Sequence, residues 1–108
     1  MGLTEAALAE LGRYVGQSPN DAEAILLTGD LSAMAGRDTE AMNWYELYLR
    51  LRPADEMGWI RLAEAYLRLG FTEAARPGFE KALSLNPACD FARRRLAELA
   101  DAASLVSP

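Results

Sequence analysis

Gly2, Gly36 and Gly70 recur at a step of 34 residues, and Pro19, Pro53 and Pro87 keep the same step. Three further series share it: Ala7, Ala41 and Ala75; Leu11, Tyr45 and Phe79; Val15, Leu49 and Leu83. A fixed period of this length restricts the architecture severely. One supersecondary unit is copied along the chain, and each copy buries its apolar face on the next. The chain is expected to be a solenoid.

The repeat from Asp55 to Pro87 shows how the unit is built. Trp59, Leu62, Ala63 and Tyr66 follow the i, i+3, i+4, i+7 spacing of one helical face. Gly70 supplies a left-handed residue to end that helix. Thr72 is then expected as an N-cap, with Glu73 in the first turn where the helix dipole favours negative charge. A second stripe runs through Ala75, Phe79, Ala82 and Leu83, and Pro87 stops it. The unit is two antiparallel helices joined by a very short turn.

The copy before it repeats the plan. Asn20 with Glu23 reads as a capping box, Ile25, Thr28, Gly29 and Ser32 form the first stripe, Gly36 ends it and Asp38 caps the next helix. Ala41, Tyr45, Tyr48 and Leu49 complete the pair. Residues 3–18 match only a second helix, capped at Thr4-Glu5 and carrying Ala7, Leu11, Tyr14 and Val15. Residues 88–103 match only a first helix, through Leu96, Ala97 and Ala100, and a frayed tail is expected from Ser104 to Pro108. The reading is one all-α domain over residues 1–108: half a repeat (3–18), two full repeats (20–53 and 54–87) and a closing half (88–103).

Composition narrows the chemistry. The 108 residues suffice for one domain. Acidic residues outnumber basic ones 16 to 11, a net charge of −5 that disfavours a phosphate backbone as partner. No apolar run approaches the ~20 residues of a membrane span. No signal peptide is read at the N-terminus, so cytoplasmic is the default location, and Ala6 breaks the myristoylation pattern. Cys89 is the single cysteine and histidine is absent. An intrachain disulfide, an ordinary zinc site and a Cys/His nucleophilic pair are therefore not expected. Neither an acidic calcium loop nor a glycine-rich phosphate loop is present, so no cofactor and no enzymatic activity are expected.

These residues resemble the tetratricopeptide repeat (TPR), whose W-x-x-L-G-x-x-Y, A-x-x-x-F and P pattern appears as Trp59, Leu62, Ala63, Tyr66, Ala75, Phe79 and Pro87. Only Ala63 departs, in place of glycine. The upstream copy is looser, with Ile25, Thr28, Gly29, Ser32, Ala41, Tyr45 and Pro53. The resemblance implies a TPR-type α-α superhelix in which small residues of paired helices face each other. Ala63 is expected opposite Ala82, and Gly29 opposite Tyr48, with smaller Thr28 and Ser32 offsetting the phenol; alternatively Tyr48 swings outward. Pro77-Gly78 reads locally as a turn, yet the stripe continues across it, so a helix with a distorted first turn is expected. Trp59 lies on the stripe facing its own hairpin, whereas Trp44 looks outward or toward a neighbour.

In TPR proteins the other face of each first helix lines a groove for peptides. Here it carries Leu26, Leu27, Asp30 and Met34; Met57, Ile60, Arg61, Glu64, Leu67 and Arg68; then Phe91 and Arg95. Two readings of its apolar members stand: a partner-binding patch, or packing between neighbouring first helices. Arg61, Arg68 and Arg95 suit acidic partner side chains, unless Asp30 and Glu64 neutralise them. Of the set with which some TPR co-chaperones clamp a client carboxylate, only Arg95 fits. The resemblance implies a protein-interaction module or scaffold, or else a regulatory or targeting module of a longer chain bearing an enzyme. Leu11 and Tyr14, without a first helix to cover them, make a homodimer or subunit contact a further expectation.

Overall fold

A computed structural model describes residues 2–106, with side chains over residues 2–102. Six helices follow one another: α1 (Leu3–Gln17), α2 (Ala22–Met34), α3 (Asp38–Leu51), α4 (Glu56–Arg68), α5 (Thr72–Leu85) and α6 (Asp90–Val106). No strand occurs among the described residues. The strongest pairings are α2 with α3 and α4 with α5, and each helix also touches the next in the chain. The stack measures 49 × 30 × 17 Å, with a radius of gyration of 15.0 Å. A compact domain of 100 residues has about 13 Å. The elongated all-α superhelix implied by the period is the observed fold.

The two tight turns are alike in detail. Gly36 and Gly70 have φ of 77° and 86°, a region that costs an L residue roughly 1–2 kcal/mol. Arg37 N donates to Ser32 O at 2.8 Å and Gly36 N to Ala33 O at 3.1 Å; Phe71 N donates to Tyr66 O at 2.8 Å and Gly70 N to Leu67 O at 3.0 Å. Both are Schellman endings. The second adds the apolar contact such endings favour, Phe71 against Tyr66 at 6.4 Å between ring centroids.

These turns are so short that Arg37 and Phe71 end one helix and cap the next. Asp38 and Thr72, expected as caps, are instead the first helical residues, and neither helix has a side-chain cap bond. Asp21 rather than Asn20 caps α2, accepting from Ala24 N at 3.1 Å. Asp55 caps α4, accepting from Met57 N at 3.1 Å. Gly2, not Thr4, precedes α1. Helix α5 passes through Pro77 unbroken.

Packing corrects the expected opposition of Gly29 and Tyr48, while Ala63 and Ala82 share one buried cluster. A Cβ on Gly29 would fall 2.7 Å from Tyr45 Cε1 and 3.2 Å from Trp44 Cβ, so Gly29 faces these and not Tyr48. Room for Tyr48 comes from the next repeat: a Cβ on Gly58 would meet it at 2.9 Å. Tyr48 is buried and does not swing outward. In the later hairpin Gly78 also lies close to Ala63: a Cβ added to it would sit 2.9 Å from the Ala63 Cβ. Pro77-Gly78 therefore reads as a turn only locally; its glycine is where α4 and α5 touch.

Buried residues form two clusters, one around Ile25, Tyr45, Tyr48 and Leu62, the other around Ile60, Ala63, Phe79 and Leu99. Trp59 and Tyr66 pack on both, Trp44 on the first alone. Helix α6 buries Ala92 and Leu99 and leaves Ala97 and Ala100 exposed, contrary to the expected stripe. Its packing partner is α5, so the face toward α5 is buried. The helix continues past the expected fraying point at Ser104 to Val106; Ser107 and Pro108 lie outside the described residues.

Candidate functional site

Helices α2, α4 and α6 share a face because the 34-residue step returns each first helix to the same orientation. Arg61, Glu64 and Arg68 lie on it at i, i+3, i+7 along α4. An ionic ladder crosses it. Asp30 on α2 lies 3.3 Å from Arg61 Nε on α4. One step along, Arg95 Nη2 on α6 donates to Glu64 Oε2 at 3.1 Å, while its Nε lies 2.9 Å from Oε1 outside good hydrogen-bond alignment. Arg95 also reaches Glu98 at 3.1 Å. Arg68 Nε donates to Asp38 Oδ1 at 2.7 Å. All three expected groove arginines thus already have carboxylate partners. Each pair is partly exposed and contributes about 0–1 kcal/mol, so the ladder orients side chains more than it stabilises the fold.

Asp30 holds a second partner, the Tyr45 hydroxyl, which donates to it at 2.7 Å. Burial first, and then that bond, push the phenol well above the ordinary tyrosine value. The tyrosine remains a neutral donor, and it fixes the carboxylate that Arg61 uses.

Between these groups lies a recess of about 380 Å³ lined by Asp30, Ala33, Met34, Tyr45, Arg61, Glu64 and Arg68. Around it the apolar side chains expected in a groove divide. Leu27 is 49% exposed, Met34 77%, Met57 45% and Phe91 37%. Arg95 lies over the Phe91 ring, 5.2 Å from its centroid. Ile60, by contrast, is buried in the second cluster and is a packing residue. Leu26 and Leu67 are half-buried against the first and second clusters. The packing reading therefore holds for Ile60, while Leu27, Met34, Met57 and Phe91 stay exposed.

Two features escaped sequence reasoning. The Tyr14 hydroxyl donates to Asp21 at 2.7 Å, and one period later the Tyr48 hydroxyl donates to Asp55. Each aspartate also caps the following first helix, so one side chain joins two repeats. The signal was in the sequence, as a Tyr and an Asp seven residues apart repeated at the 34-residue step. The third copy of this pair is Ala82 and Cys89. Neither can form that bond, and Asn86 instead donates to both Glu56 oxygens at 3.0 and 3.1 Å, a tie within one repeat.

Two family models, each described as tetratricopeptide repeat, match the chain, one over residues 1–56 and the other over 56–99. A co-chaperone of Fusarium oxysporum f. sp. lycopersici, named for tetratricopeptide repeats and a J domain, is 35% identical over 104 residues. That match covers 91% of this chain and 20% of the relative. Superkiller protein 3 of Saccharomyces cerevisiae is 34% identical over 56 residues, 52% of this chain and 4% of the relative. The chain thus spans a fifth or less of these relatives. Among solved structures, MamA superposes with a TM-score of 0.87 at 19% identity, covering 94% of this chain and 59% of MamA. The first TPR of Spaghetti (RPAP3), bound to the HSP90 peptide SRMEEVD, gives 0.84 at 17% identity, covering 94% and 80%. Both likenesses concern the fold. No helix among the described residues is long and apolar enough to cross a membrane.

Proposed function

The chain belongs to the tetratricopeptide repeat family, and on that premise we propose that it is an interaction module or assembly scaffold holding a segment of a partner protein. The segment lies on the shared face of α2, α4 and α6. The observation that carries this reading is the set Leu27, Met34, Met57 and Phe91, which stays exposed beside a recess whose charges are already paired. Exposed apolar side chains grouped on one face favour a partner, and the methionines adapt to its shape. A TPR structure of similar fold with a peptide bound supports the same use. Apolar side chains supply the main contact. An acidic partner residue must first displace Asp30, Asp38 or Glu64 from its arginine.

Charging this face tests the reading. Leu27→Glu with Met57→Glu is expected to abolish partner capture, measured by pull-down and mass spectrometry, with helicity and melting preserved. Capture that survives the double charge refutes it.

Two further readings have their own support. The chain matches a fifth or less of its relatives' length, which favours a regulatory or targeting module within a longer protein. The edge of α1 around half-buried Leu11 and the 46%-exposed Tyr14 offers a contact surface to a second copy or another subunit. Light scattering across concentration, with and without Leu11→Glu, tests that edge; an unchanged monomer in both rejects it.

A further inference from the structure

Helix α4 carries a second opening on its opposite side. Trp59, Leu62 and Tyr66 share the i, i+3, i+7 spacing of Arg61, Glu64 and Arg68, two residues earlier. Two residues turn a helix by about 200°, so the two stripes face opposite ways. The first stripe floors a recess of about 460 Å³, walled on α3 by Glu46, Leu49 and Arg50. The repeat pattern assigns Trp59 and Tyr66 to the hairpin interior, yet both are only half-buried. Phe71, 52% exposed, extends the aromatic edge against Tyr66.

The two charges on the wall, Glu46 and Arg50, do not pair with each other. Glu46 and Arg50 are four apart on α3, a spacing at which such residues pair. Glu46 instead accepts the Tyr66 hydroxyl at 2.9 Å. Arg50 has no ion pair among the described residues, whereas each arginine of the opposite face has one.

We propose that this recess is a second docking site, for a partner-protein segment that carries an apolar side chain beside a carboxylate. The apolar side chain lies over Trp59 and Tyr66, and the carboxylate pairs with Arg50, which its own helix leaves available. The site shares no residue with the recess on the opposite face, so it does not rest on the function proposed above.

The test uses the 108-residue chain with Trp44→Phe, so that Trp59 alone reports by fluorescence. The probes are blocked Ser/Gly peptides whose central pair is Leu-Glu, Leu-Lys or Ser-Glu. The Leu-Glu peptide is expected to shift Trp59 emission saturably, with an affinity about tenfold above the other two. Arg50→Glu is expected to reverse the preference toward Leu-Lys at unchanged helicity. Arg50→Ala, milder for the helix, is expected to erase the charge preference. Leu27→Glu with Met57→Glu leaves the titration unchanged, which separates this site from the opposite face. Equal response to all three peptides, or a Leu-Glu preference that survives Arg50→Ala, overturns the proposal.

Discussion

At the residue scale, each hairpin needs one glycine at its closest approach, and the two repeats place it on opposite partners. Upstream the glycine is Gly29 on the first helix, against Tyr45 and Trp44; downstream it is Gly78 on the second, against Ala63. Ala63 is Gly29 moved by one period, and Gly78 is Trp44 moved likewise. Gly78→Ala should therefore destabilise, by about 1–3 kcal/mol for an overpacked core. Adding Ala63→Gly should recover most of the steric part, a coupling that a double-mutant cycle in urea measures directly. Strict additivity would show that the two residues do not meet. Ser32 makes a second case. Its hydroxyl is fully buried without a hydrogen-bond partner among the described residues, one period before the tyrosine of the downstream repeat. Ser32→Ala should stabilise by about 1 kcal/mol, since it removes an unsatisfied polar group and favours helix. A lower denaturation midpoint for the alanine variant would contradict that.

At the element scale, aspartates at the joints serve two helices at once. Asp55 caps α4 through Met57 N and accepts the Tyr48 hydroxyl from α3. Asp55→Ala should cost more than the ~1 kcal/mol of a lost cap, because Tyr48 loses its acceptor too; Tyr48→Phe beforehand should reduce the cost. Equal loss in both backgrounds, in a denaturant titration, would mean the cap acts alone. The helices and their order were legible because Gly36 and Gly70 mark the turns and the stripes carry a 3.6-residue period across Pro77. The capping residues were less so. A turn in which Phe71 both ends α4 and caps α5 displaces Thr72 by one position, and only backbone geometry reveals it. The candidate surface was half legible. Spacing puts Ile60 and Met57 on neighbouring columns, but only the docked α6, whose Ala92 and Leu99 cluster with Ile60, decides that Ile60 is buried while Met57 is exposed. The salt bridge of Arg95 to Glu64 depends on how α6 meets α4, and that of Arg61 to Asp30 on how α2 meets α4.

At the scale of the whole molecule, four tyrosines tie the stack together through carboxylates: Tyr14 to Asp21, Tyr45 to Asp30, Tyr48 to Asp55 and Tyr66 to Glu46. The phenols of Tyr45, Tyr48 and Tyr66 are raised above the ordinary value, in each case by burial first and then by the carboxylate partner. On the surface, Tyr14 is raised chiefly by its bond to Asp21. The sign for stability follows from which state releases protons first. Unfolded tyrosines ionise near pH 10, while the folded chain keeps its phenols protonated to higher pH. The stabilisation is complete below about pH 10 and is lost as pH rises above it, because the unfolded state is then the one that ionises. Urea midpoints should hold steady from about pH 7 to 9 and fall beyond pH 10, with all the joints weakening together. Tyr45→Phe should lower the midpoint at neutral pH, because Asp30 loses its donor, and should also make the alkaline fall shallower, because one shifted phenol is gone. Tyrosinate absorbance offers an independent reading: it should appear at higher pH in the folded chain than in the chain unfolded by urea. Coincident titration of the two states, or a midpoint unchanged past pH 11, would show that these hydroxyls do not link folding to pH.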